Sequence, residues 1–259
     1  MKRLAIAGAL LGGMLALLVF APAAWLASAL ASATDQRLLL ADARGSVWSG
    51  SAVPVLTGGP GSRDASALPG RLHWSIGLDG LAFGLRARQD CCINGELRLR
   101  VEPRFGGLKV TLPASSGAVG QWPAGWLTGL GLPFNTLQLG GWLSLSSGGL
   151  VAESVQGRWL LAGNAALTMN ALSSRVSTLE SLGSYRLALS GDAGAQRPAQ
   201  VLLSTTNGPL QLAGSGEFGG TGLRFRGEAR AAPGAETALN NLLNIIGRRQ
   251  GTLAVISIG

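Results

Sequence analysis

The stretch "GELRLRVEP", residues 95–103, decides the fold class: Leu97, Leu99 and Val101 alternate with Glu96, Arg98, Arg100 and Glu102. Successive side chains of a β-strand point to opposite faces, so this alternation sets one face on a core and the other in water. The segment before it, "GRLHWSIGL" (Gly70 to Leu78), alternates Leu72, Trp74 and Ile76 with polar or small residues. The segment after it, "GGLKVTLP" (Gly106 to Pro113), repeats the pattern and stops at a proline. These are expected to be consecutive antiparallel strands with one wet face.

The pattern continues towards the C-terminus. "NTLQLGGWLSLSS", "VQGRWLLAGNAAL", "SYRLALSGD", "AQVLLSTT", "GPLQLAGSGEF" and "GLRFRGEARAA" are each of strand length and bounded by Gly, Asn, Pro, Ser or Asp. One interruption, "GQWPAGWLTGLGLP" (Gly120 to Pro133), is expected to form a short helix starting at Pro123, with Trp122, Trp126 and Leu127 on one face. Charged residues make up only 13% of the 259-residue chain and hydrophobic ones 47%, which excludes a disordered tail. The 40 glycines follow no period of three, so they indicate turns, bulges and a readily curved sheet rather than collagen.

The chain ends on "ALNNLLNIIGRRQGTLAVISIG", residues 238–259. Ala238 to Ile246 forms an amphipathic helix with Leu239, Leu242, Leu243, Ile245 and Ile246 on one side. Gly247 is expected as a left-handed C-cap, with Arg248 and Arg249 where the helix dipole favours cations. "LAVISI" then supplies a closing strand, Leu253 and Val255 on one face, Ile256 and Ile258 on the other. This end is expected to be part of the folded domain rather than a tail.

The other terminus addresses the compartment. Leu4 to Thr34 contains no charged side chain and is long enough for a membrane-spanning helix. Lys2 and Arg3 precede it, which holds that end in the cytoplasm. A cleaved signal peptide is the competing reading, since "ALA" (Ala29 to Ala31) and "ASA" (Ala31 to Ala33) fit a cleavage site, but the apolar run outlasts a signal core and favours a retained anchor. The division is therefore an anchor at 1–34 and an exported β-rich domain at 35–259. "GALLG" (Gly8 to Gly12) has the small-residue spacing that lets membrane helices approach closely, and is equally ordinary membrane-helix composition.

Cys91 and Cys92 are the only cysteines. On a strand they would point to opposite faces, so they are expected to be ordinary small side chains near a turn, with a bond between neighbours the lesser alternative. With His73 the only histidine, they supply too few ligands for a structural zinc site. "GSGEFG" (Gly214 to Gly219) matches a dinucleotide fingerprint but is followed by a strand, not by the helix N-terminus that would hold a pyrophosphate. His73 sits mid-strand, with Asp64 and Asp79 the acids nearest in sequence, and the only lysines, Lys2 and Lys109, follow no phosphate-binding loop. No catalytic, cofactor-binding or metal-binding residues are assigned, and no enzyme is expected.

The net charge is +8, carried mainly by arginine. Arg86 with Arg88, Arg98 with Arg100, and Arg224 with Arg226 are spaced by two and so share a strand face. An exported domain has little access to nucleic acid, which leaves anionic lipid or an acidic partner protein as the target, or a solvated face with no target.

The sequence resembles type II secretion system protein N, an accessory component of the general secretory pathway of Gram-negative bacteria. The resemblance rests on "ARGSVWSGSA" (Ala43 to Ala52), "LGSYRL" (Leu182 to Leu187), "GPLQLAGSGEF" with "GLRFRGEARA" (Gly208 to Ala231), and the closing "ALNNLLNIIGRRQG". It implies a single-pass inner-membrane protein with its N-terminus in the cytoplasm and a mainly β, antiparallel, curved periplasmic domain. It further implies a non-enzymatic role through contact with inner-membrane platform proteins or the outer-membrane secretin. The alternative is a periplasmic β-groove that binds or transfers lipid.

Overall fold

Short turns place most strands beside their sequence neighbours. Asp79 pairs with Ala82 across Gly80 and Leu81, and Arg104 pairs with Gly107 across Phe105 and Gly106, with both glycines at positive φ (65° and 74°). The structure, a computed structural model, describes residues 12–13, 16, 19–155, 158–192, 197–219 and 222–259.

The strands are β1 (Leu38–Gly45), β2 (Ser49–Thr57), β3 (Ala65–Ala67), β4 (Leu72–Asp79), β5 (Ala82–Arg88), β6 (Leu97–Arg104), β7 (Gly107–Pro123) and β8 (Leu139–Val155). They continue as β9 (Arg158–Ser174), β10 (Gly183–Gly191), β11 (Ala199–Asn207), β12 (Leu210–Gly219), β13 (Gly222–Ala231), β14 (Arg248–Gln250) and β15 (Leu253–Ile258). All belong to one curved, open antiparallel sheet. From β4 to β13 sheet order follows chain order; β15 then pairs with β13, β14 forms that edge, and β3 adds to β2 at the other. The mainly β expectation holds.

The antiparallel course gives the sheet two different ends. One carries the β1–β2, β4–β5, β6–β7 and β8–β9 turns. The opposite end carries the long connections: a 3₁₀ helix (Ala124–Leu130), the short helix α2 (Phe134–Leu137) and the C-terminal helix α3 (Glu236–Ile246). The helix expected at Pro123 is thus present, in the tighter 3₁₀ form.

The main core lies on one face of β7 to β15. Leu239, Leu242 and Leu243 of α3 are buried there with Leu182, Tyr185, Leu210, Ala229 and Ala254. Leu127 from the 3₁₀ helix and Trp122 pack against the same cluster. Three buried leucines, at about 1.5–3 kcal/mol each, contribute on the scale of a whole domain's net stability. The C-terminal segment is therefore structural, and β15 sets Ala254 and Ile256 towards the core.

Two local expectations are corrected. Gly247 is not a left-handed cap: its backbone is extended (φ −166°, ψ 175°), and the chain passes directly into β14. A Cβ there would lie 2.6 Å from the Val255 carbonyl oxygen, so close strand approach, not chirality, suits glycine at this position. Cys91 and Cys92 are bonded to each other. They stand in a turn closed by the Cys92 and Ile93 amides on the Gln89 carbonyl (3.3 and 3.2 Å), so the opposite-faces argument for strand residues does not apply.

At the β1 edge, Ala23–Ala33 forms α1, which buries Ala23 in a cluster with Ala52 and Trp74, and Leu26 and Leu40 pack against that cluster. The helical path is interrupted at Ala21 and Pro22, where the Val47 amide donates to the Ala21 carbonyl (2.8 Å) and Pro22 bridges to Ser46. Among the described residues no helix is long and apolar enough to cross a membrane. Most of the expected span, and most of the Gly8 to Gly12 pattern, lies outside the described residues.

Candidate functional site

On the wet face of β4 to β6 the register gathers arginines that are dispersed in sequence. Ser75 lies opposite Arg86 and Arg86 opposite Arg98, while His73 pairs with Arg88 and Gly84 with Arg100. Gly77 and Gly84 face each other and form the floor of an open groove of ≈ 640 Å³, bordered by Ser75, Arg86, Arg98, Arg100 and Thr111. No atom lies within 4 Å of where a Gly77 Cβ would be, so the floor is low because its side chains are missing.

Carboxylates partly neutralise this face. Glu96 bridges two arginines, 2.8 Å from Arg98 Nε and 3.2 Å from Arg88 Nη2. Arg98 chiefly, with Arg88 adding to it, holds the Glu96 carboxyl below the usual range against the opposing effect of burial. Arg100 spans the groove to Asp79 (2.6 Å) and also meets Glu102 (3.1 Å), whose carboxyl is lowered chiefly by Arg100. Arg86 reaches no carboxylate among the described residues. It is a cation directly opposite another cation, an arrangement that disfavours folding and favours an incoming anion.

The residues weighed for catalysis are not brought together. His73 is exposed, Asp79 is held by Arg100, and Asp64 accepts from Asn135 Nδ2 at 3.1 Å. Among the described residues no group of His, Cys, Asp and Glu could hold a metal ion. Gly214 to Gly219 lies inside β12, paired on both sides, with no helix after it. Its glycines accommodate neighbours instead, since a Cβ on Gly214 would collide with the Phe225 ring. A lipid-carrying groove finds no support: α3 and the 3₁₀ helix fill the apolar face of β7 to β15, and the groove on β4 to β6 lies on the charged face.

The motifs behind the family resemblance build the scaffold. In "ARGSVWSGSA" the Ser46 amide donates to the Ser49 carbonyl (2.8 Å), Trp74 Nε1 donates to Val47 O (3.0 Å), and a Cβ on Gly50 would strike the Trp74 ring. In "LGSYRL" the buried Tyr185 hydroxyl shares its proton between the carbonyls of Leu182 (2.9 Å) and Leu210 (3.0 Å). The Leu210 amide donates back to Leu182 (3.0 Å), and a Cβ on Gly208 would collide with Gly183. "LGSYRL" and "GPLQLAG" therefore form one knot at the end of β10 and β12. Burial pushes the Tyr185 phenol upwards, out of reach of ionisation in the folded protein.

Comparison with known proteins matches residues 36–255 to the family described as type II secretion system (T2SS), protein N. No curated protein and no solved structure matches the chain. The match takes in the sheet from the start of β1 to the middle of β15, including both motif clusters and the C-terminal helix. The chain belongs to the type II secretion system protein N family.

Proposed function

We propose that this chain is a non-enzymatic accessory component of the type II secretion apparatus, held in the inner membrane by its N-terminal apolar segment with the sheet in the periplasm. Family membership supports the accessory role. The observation that carries the docking surface is Arg86, opposite Arg98 with no carboxylate of its own among the described residues. An acidic segment of an inner-membrane platform protein or of the outer-membrane secretin would supply the missing negative charge. The Gly77 and Gly84 floor lets a partner backbone come close to the strands.

Because Ala23–Ala33 packs on the sheet, the anchor expected at 1–34 is drawn in to Leu4 through Phe20, an uncharged stretch of about 17 residues, at the lower limit for a spanning helix. Lys2 and Arg3 orient it with the N-terminus in the cytoplasm. Chemical crosslinking of the full chain in the envelopes of secreting cells, followed by purification, tests the reading. Platform proteins or the secretin should be captured; recovery of unrelated envelope proteins alone would overturn it.

A further inference from the structure

Turn positions at strand ends usually carry Gly, Asn, Asp or Ser, because those residues suit the backbone and water. Two neighbouring tips of this sheet break that rule at the same end. Leu81, at the β4–β5 tip, and Phe105, at the β6–β7 tip, are fully exposed. Leu78 beside the first tip is exposed as well, and Val155 and Trp159 flank the β8–β9 turn with partly exposed side chains.

The N-terminal segment arrives at this same end. Ala21 and Pro22 are tied to the β1–β2 turn at Val47 and Ser46. Trp48 of that turn has its ring 6.3 Å from Phe83, just inside the β4–β5 tip. Just before these ties Val19 and Phe20 are exposed, and just after them so is Trp25 in the first turn of α1. Apolar side chains therefore extend from the place where the chain enters the domain along the successive hairpin tips.

We infer that this end of the sheet lies on the bilayer that holds the anchor, with Leu81 and Phe105 inserted at the interface and Trp25 at headgroup level. The inference rests on the reading of Leu4 through Phe20 as a membrane anchor. A bilayer fits better than a protein because the apolar residues stand singly on narrow turns, whereas a stable protein interface needs about 800 Å² of continuous surface on each partner. Asp79 and Glu102 near these tips are already paired with Arg100 and Arg104, so apolar insertion and not net charge drives the contact. The domain is thereby fixed upright, its long-loop end pointing away from the membrane and the arginine face turned sideways.

Benzoylphenylalanine in place of Leu81, Phe105, Phe20 or Leu132, in the full chain and in native membranes, tests this by photocrosslinking. Leu132 is an exposed control at the opposite end of the sheet. Lipid adducts are expected at 81, 105 and 20 and not at 132. Lipid adducts at 20 without adducts at 81 and 105 would overturn the inference and leave the anchor standing. Absence of lipid adducts at 20 as well would overturn both. Protein adducts at 81 and 105, to a second copy or to another component, would replace the membrane with that partner.

Discussion

Arg86 on β5 stands directly across from Arg98 on β6, and among the described residues only Arg98 of the two reaches a carboxylate, Glu96 at 2.8 Å. Like charges in one cross-strand pair oppose folding by up to about 1 kcal/mol, and salt screens the effect. Arg86→Thr is expected to raise the melting temperature slightly, with the gain shrinking at high salt. A lowered melting temperature would show that Arg86 stabilises the sheet and is not held in reserve for a partner.

Acid should weaken the same face. The Glu96 carboxyl is depressed by Arg98 and Arg88, so its contribution is present above its unfolded pKa, about 4.3, and fades as pH falls through the lower folded value. Thermal melts between pH 7 and pH 3 should show Glu96→Gln less stable than wild type at neutral pH and converging with it at the acid end. Parallel curves would mean that Glu96 carries no such linkage.

Tyr185 is the sole tyrosine, which allows a clean optical test. Its phenol is pushed up by burial, so above about pH 10 the unfolded chain releases a proton that the folded chain retains, and stability declines as pH rises. Tyrosinate absorbance should appear only together with loss of the folded circular dichroism signal. Tyr185→Phe leaves the Leu210 carbonyl without its hydroxyl donor and should cost about 1–2 kcal/mol. Ionisation near pH 10 in a folded protein would contradict the buried knot.

The C-terminal helix gives the largest stability prediction. Leu242 is almost wholly buried against the sheet, and Leu242→Ala should cost about 2–5 kcal/mol. Truncation after Pro233 removes α3, β14 and β15 together and exposes the edge of β13. A protease-sensitive protein of low abundance is expected, measured by limited proteolysis and immunoblotting. Normal abundance and an unchanged melting temperature would make this end an interaction arm.

Strands with strict alternation were legible in the sequence: β4 and β6 lie within two residues of the stretches Gly70 to Leu78 and Gly95 to Pro103. β7 was legible only as far as Pro113, where the sequence places its end; Ala114 to Gly120 is small and polar without alternation, yet the strand continues through register shifts between Ala114, Ala118 and Gly120 to reach Pro123. β14 was masked by the dipole argument for Arg248 and Arg249. The arginine face was half legible: spacing by two puts Arg86 with Arg88 and Arg98 with Arg100, but only the strand register sets Arg86 against Arg98 and the paired glycines beside them. Nothing in the spacing of Leu81 and Phe105 announced that their two tips share an end with Pro22.

The docking claim is tested most directly by charge reversal in a secreting strain. Arg86→Glu combined with Arg98→Gln should reduce export of a folded substrate to the level of a strain lacking this protein. Abundance and melting temperature should remain near wild type, and Arg224→Glu on the distant strand β13 should secrete normally. Wild-type secretion by the Arg86, Arg98 double variant would contradict the assignment of this face to a partner.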